Sequence, residues 1–200
     1  MMRHLLCGAV ISIAWIMAVG CSDTTGPVPS KYFVFSFEDS MQGWEAHGID
    51  LDTPDVRWSV DLSTEEATDG KSSVRLFLNN INDKSKIWIE RAFAVDTLVD
   101  YEVDVRYKFA SPDWGDANHW TIIAGALSHS AEAVADLTFQ GNTANGRSSD
   151  TGPEWLDKAY KFNVRSNAKG EVFVQLGVWG NTEFYRAYFI DEVRVILTEK

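Results

Sequence analysis

The chain has 200 residues, 45% of them hydrophobic and 12% aromatic, and a formal net charge of −11. This balance suits one packed domain with a sizeable core; the acidity disfavours nucleic acid and adsorption to anionic lipid, and leaves neutral polymers and cations as partners. The two cysteines, Cys7 and Cys21, both precede residue 31, so the domain beyond them has no disulfide, zinc–thiolate site or thiol nucleophile.

In chain order, Arg3 gives a short positive start, and Leu5 to Val19 is almost wholly apolar. That is the length of a signal-peptide core rather than of a comfortable membrane span. The run ends in Ala18-Val19-Gly20-Cys21, followed by a polar stretch with Gly26, Pro27 and Pro29 that reads as a flexible tether. The junction resembles the lipobox of bacterial lipoproteins. That resemblance implies diacylglycerol on Cys21, removal of residues 1–20, and a domain held to the membrane of the cell envelope through its lipid anchor. Ser22 after the cysteine implies the outer membrane. Plain secretion and an uncleaved anchor helix are the alternatives. The expected division is a signal peptide at 1–20, a lipidated tether at 21–30 and one domain at 31–200.

That domain reads as β throughout. Period-two or apolar runs predict nine strands: 32–38, 56–62, 72–79, 86–93, 101–109, 120–127, 159–165, 171–179 and 185–197. Turn signals at Asp69-Gly70, Asn79-Asn80, Asn167 to Gly170 and Gly180-Asn181 separate several of them. Tyr101, Val103, Val105, Tyr107 and Phe109 alternate with Glu102, Asp104, Arg106 and Lys108, giving one buried and one wet face. Val172, Val174, Leu176 and Val178 alternate in the same way. Only Ser130–Asp136 looks helical, and it is short. Residues 140–153 are expected to form a long polar loop, either a recognition loop or a disordered insertion.

Three segments carry a second resemblance. Phe35-Ser36-Phe37-Glu38-Asp39 with Gly43-Trp44 opens the domain, Asp69-Gly70-Lys71-Ser72-Ser73 precedes the third strand, and Ile190-Asp191-Glu192-Val193 lies in the last. In this order they resemble the galactose-binding-like jelly roll, a fold that includes many carbohydrate-binding modules. The resemblance spans 32–197 and implies an all-β, single-domain β-sandwich. It also implies a structural calcium (Ca2+), with carboxylates from Glu38 and Asp191 and a backbone carbonyl from the 69–72 hairpin, Lys71 being the residue assigned. The alternative is that both acids are solvated or paired with Lys or Arg. From the residues themselves, Phe35 and Phe37 are expected in the core, Gly70 is expected at positive φ, and alternation sets Ile190 and Glu192 on one face with Asp191 and Val193 on the other.

Eight tryptophans are many for this length, and all but Trp15 lie beyond the leader. A sugar site needs aromatic platforms beside polar groups. The candidates are Trp88, which shares a strand face with Glu90, Trp179, which shares one with Gln175, and Arg106, Trp114 and Trp120. Each Trp has a core reading as well, and Trp44 is assigned to the core. Catalysis lacks a signature: there is no G-x-S-x-G, H-E-x-x-H or P-loop, and His47, His119 and His129 are not at metal-ligand spacing. The expected function is non-catalytic binding of glycan or polysaccharide. The alternatives are a structural or protein-binding envelope protein and, third, a jelly-roll lyase or hydrolase.

Overall fold

The computed structural model describes residues 30–79, 81–113, 120–141, 146–180 and 185–200. Cys21 with its leader and tether, Trp114 and His119 lie outside the described residues. Among those described, twelve strands form: β1 (Ser30–Phe35), β2 (Glu45–Ile49), β3 (Trp58–Ser63), β4 (Ser73–Leu78), β5 (Lys86–Ala94), β6 (Asp100–Ala110), β7 (Trp120–Leu127), β8 (Ser148–Ser149), β9 (Gly152–Pro153), β10 (Leu156–Arg165), β11 (Glu171–Gly180) and β12 (Arg186–Glu199). One antiparallel sheet runs β10-β6-β12-β4-β3, with β1 also paired to β12; the other runs β2-β5-β11-β7. From β4 to β7 successive strands alternate between the sheets, as β10, β11 and β12 do again. The two inner faces close on one apolar core, which is the jelly-roll β-sandwich that the resemblance implied.

The alternating runs deliver the faces they announce. In β6 the odd residues Tyr101 to Phe109 are buried, and in β11 Val172, Val174, Leu176 and Val178 are fully buried. Phe35, Trp44 and Phe93 meet edge to face at 5.5–6.0 Å between ring centroids. Arg91 lies over Phe35 at 4.7 Å, and burial lowers the pKa of its guanidinium. Phe35 and Phe37 both enter the core, although β1 stops between them because Phe37 adopts φ +55°.

Four expectations are corrected. β2 was not foreseen. The 130–136 segment is one 3₁₀ turn, Val134–Asp136, because Asp136 accepts the N–H groups of Glu132 and Ala133 at 3.0 and 2.9 Å in place of a second turn. The 140–153 loop contains the short β8–β9 hairpin, with 142–145 outside the described residues. Finally, Ile190 and Val193 are both fully buried. Simple alternation fails there because the β12–β6 register shifts between Asp191 and Arg194 and Glu192 takes φ +47°, so one extra residue resets the faces.

That irregularity sits where β12 exchanges partners. Residues 186–190 pair with β4, and 193–198 pair with β1. The loop between β3 and β4 fills the junction, and two carboxylates hold it. Asp191 Oδ2 accepts from the Thr68 and Asp69 N–H groups at 2.9 and 3.1 Å, and Glu38 Oε2 accepts from the Lys71 N–H at 2.8 Å. Gly70, at φ +66°, passes so close that a Cβ there would lie 2.2 Å from the Glu38 carboxyl carbon; a turn this tight against a side chain needs glycine.

Candidate functional site

The outward face of the β2-β5-β11-β7 sheet is built in rows set by register. Ile49, Lys86, Trp179 and Thr121 form one row; His47, Trp88, Gly177 and Ile123 the next; Glu45, Glu90, Gln175 and Gly125 the third; Ala92, Phe173 and Leu127 the fourth. A Cβ on Gly177 would lie 2.4 Å from the Trp88 Cβ, so the glycine makes room for the indole. The His47 ring stacks on Trp88, centroids 5.6 Å apart and planes 15° from parallel.

A flap, residues 128–140, folds over this face. Phe139 bridges to Ile123 beside β7, and Gln140 N donates to the Ile122 carbonyl at 2.8 Å. Ala131 and Leu137 press onto Trp88 and Ile123 as a second small core, flanked by Ile49, Leu127, Phe139 and Trp179. Glu90 pins the near end of the flap: its Oε2 accepts from the Ala131 N–H at 3.0 Å and from the Gln175 amide at 3.2 Å. Asn167 donates to the Ser128 carbonyl at 3.1 Å.

What the flap leaves open is a cleft of about 300 Å³ lined by Gly43, Glu45, His47, Glu90, Arg91, Ala92, Ser130 and Phe173. Two cross-strand carboxylates, Glu45 and Glu90, stand beside an imidazole, a hydroxyl and the Phe173 ring. Glu45 is exposed, while Glu90 is nearly buried in the floor. Flat apolar surface beside hydrogen-bonding groups is the composition that recognises a hydroxyl-rich ring.

The sequence-predicted residues distribute unevenly over this site. Trp88 shares a face with Glu90, and Gln175 with Trp179, as alternation foretold. Yet Trp88 and Gln175 are buried under the flap, at 1% and 0% exposure, and offer no platform. Trp179 is only half-buried, at the flap's edge: its indole N–H donates to the Asp83 carbonyl at 3.2 Å, and Phe139 packs against its ring at 5.3 Å. Trp120 points the opposite way, into the core, against Phe109 and Tyr188 at 5.2 and 4.9 Å. Arg106 lies on the outer face of the other sheet, paired through two nitrogens with Asp104 at 3.0 Å each. Its neighbours are paired as well, Lys108 with Asp157 at 2.9 Å and Arg194 with Glu192 at 3.4 Å, so the hollow that these residues line has little charge to offer a ligand. The cleft residues that the reading did not propose as ligands are Glu45, His47, Ser130 and Phe173. Phe173 was visible as the outward partner of Gln175 two residues on; Glu45 and His47 required β2.

The expected calcium ligands, Glu38 and Asp191, converge on the 68–72 loop. No cluster of three or more His, Cys, Asp or Glu that could hold a metal occurs among the described residues, and the loop presents backbone N–H groups to both acids where the resemblance implies a carbonyl. Calcium takes carboxylate and carbonyl oxygens in irregular geometry, so an ion held by these two acids would have to share them with the loop N–H groups. Asp191 is fully buried, its proton affinity is raised by burial, and no Lys or Arg pairs with either acid among the described residues. Lys71 meets Glu38 through its N–H.

No protein-family profile matches the chain, and no curated protein matches its sequence. Among solved structures it is similar to two cleaved adhesin domains of Lys-gingipain from Porphyromonas gingivalis. The K3 domain has a TM-score of 0.53 at 14% identity, over 84% of this chain and 99% of that one. The K1 domain has 0.52 at 12%, over 82% and 97%. These likenesses show the β-sandwich fold. The CBM22-1 xylan-binding domain of Paenibacillus barcinonensis Xyn10C aligns over 84% of this chain and 94% of its own, at 16% identity and a TM-score of 0.45.

Proposed function

We propose that the domain is a non-catalytic glycan-binding module, and that its binding site is the cleft between Glu45, Glu90, His47, Ser130 and Phe173. The observation that carries this reading is the lining itself: an aromatic wall, two carboxylates and a hydroxyl converge in one cleft on the sheet's outward face. Phe173 would cover the apolar face of a sugar ring, and Glu45, Glu90 and Ser130 would bond its hydroxyls. Glu90 is already committed to the Ala131 N–H and to Gln175, which suits a fixed hydrogen-bonding group better than a proton carrier. A lipid on Cys21 would hold this module to the envelope membrane, and a calcium ion at Glu38 and Asp191 would brace it. The test is retention on immobilised polysaccharides of a soluble form beginning after Cys21. Retention that is lost in Phe173→Ala and Glu45→Ala supports the reading; equal retention of both variants refutes the cleft as the site. For the anchor, Cys21→Ala should release the full chain from membranes, and a variant that still fractionates with them excludes lipidation.

A second reading, a protein-binding envelope domain, draws on one feature of the opposite sheet. Exposed Tyr185 stacks on Phe77 at 6.2 Å, and Arg75 lies over Phe77 at 5.1 Å. Such a patch suits a protein contact. Loss of an envelope cross-link in Tyr185→Ala, with Phe173→Ala unaffected, would favour it.

A further inference from the structure

Resting on the glycan reading of the cleft, we infer that the site accepts the end of a glycan chain or a short branch, one or two sugar residues, and does not accept the interior of a polymer. The reasoning starts from the sheet. An unobstructed outward face would let a chain lie along it through the His47–Trp88–Gly177–Ile123 row. Here that row is closed at its middle: Trp88 and Ile123 are 1% and 0% exposed, and in the row beyond it Lys86 and Thr121 are 5% and 7% exposed, with Ile49 and Trp179 half-buried. The flap does the closing, and it is fastened at both ends, by Glu90 to Ala131 at the cleft and by the Phe139–Ile123 bridge beside β7.

Chain running along the strands therefore meets a wall made of Glu90, Ser130 and Ala131. The remaining space, about 300 Å³, is at the bottom of the range of small-ligand pockets, about 300–1,000 Å³. The approach from the far side is over Ala92, whose methyl carries no bulk and is exposed. Glu90 at the closed end is nearly buried and cannot move aside without releasing the flap. It is a fixed acceptor placed for the one hydroxyl of a terminal ring that an internal ring spends on its next linkage. The flap thus works as the specificity element of the site, converting a sheet-wide face into a stall for one chain end.

A glycan array tests this, with each saccharide fixed through its reducing end in lengths from the monosaccharide upward. Equal binding by the shortest and longest members of a series supports the inference. Binding that appears only above three or four units, or rises about tenfold or more with length, overturns it while leaving the glycan reading intact. Silence at every length overturns both. Ser130→Tyr, which fills the closed end, is the second arm. It should abolish binding at all lengths; continued binding of long chains alone would show that polymer passes the flap by another route and would also overturn the inference.

Discussion

Glu90 and Ala131 are 41 residues apart in sequence, and the carboxylate of one accepts the backbone N–H of the other at 3.0 Å. This bond joins the floor of the cleft to the flap that walls it. A buried charge is tolerated there because Gln175 donates to the same oxygen and because a hydrogen bond to an ionised acceptor is stronger than a neutral one. Binding site and lid are therefore coupled through one side chain.

The first prediction follows from that bond. Glu90→Gln is expected to cost about 1–2 kcal/mol, since it loses charge-assisted acceptance while keeping volume. Glu90→Ala is expected to cost more, about 2–3 kcal/mol, because the Ala131 N–H and the Gln175 amide are both left unmet in the interior. Urea unfolding of the soluble domain would measure both. A neutral Glu90→Ala would mean that the flap is not held by this contact.

The tryptophans separate by stability. Trp88→Ala is expected to destabilise by about 3–5 kcal/mol, the cost of emptying a packed site, because the indole is covered on both sides by sheet and flap. A solvent-exposed sugar platform would instead lose binding with little change in stability. Thermal melting beside a binding assay distinguishes the two.

Calcium is expected to raise the melting temperature. An ion that binds only the folded state at a hundredfold excess over its Kd adds about 2.7 kcal/mol. Magnesium should do less, because it demands regular geometry. Asp191→Ala and Glu38→Ala remove loop acceptors and will lower stability on their own, so the diagnostic readout is the response to calcium, which both should lose. Identical melting of the wild-type domain with chelator and with calcium would eliminate the site.

Asp104 sets a pH dependence on the opposite sheet. The Arg106 guanidinium bonded to it, aided by Lys161, holds its carboxyl below the ordinary aspartate range. A depressed folded value means that the unfolded chain binds the proton more readily, so stability rises with pH across that window. The contribution is complete above the ordinary aspartate value of 3.8 and is lost as pH falls through the lower folded value. The difference in stability between wild type and Asp104→Asn should therefore shrink on acidification below that value. A difference that grows instead would reverse the assignment. Added salt should reduce the effect, since Arg106 is exposed.

Much of the sandwich was legible in the sequence because strand alternation is a local signal. Tyr101 to Phe109 and Val172 to Val178 announce their buried faces without reference to any partner. β2 was hidden for an equally local reason. The residues that alternate with its outward row, Ala46 and Gly48, are small, and Ala46 is exposed at the sheet edge, while its outward Ile49 packs beneath the flap; the pattern therefore carries no amphipathic signature. Gly48 is hemmed in as well, since a Cβ there would lie 3.2 Å from the Lys86 carbonyl oxygen.

By itself the sequence determined most of the β strands, the core residues of the alternating ones, the pairing of faces such as Trp88 with Glu90, and the turn at Gly70, because each depends on residues within a few positions of one another. The tertiary structure decided which aromatic rings meet solvent. Trp88 and Trp120 are both strand tryptophans, yet one is sealed by a flap and the other faces the core, and burial is a property of what lies opposite. It decided the site in the same way: Glu45, Glu90, Ser130 and Phe173 come from β2, β5, the flap and β11, and register across the sheet, together with one carboxylate holding one distant N–H, brings them together.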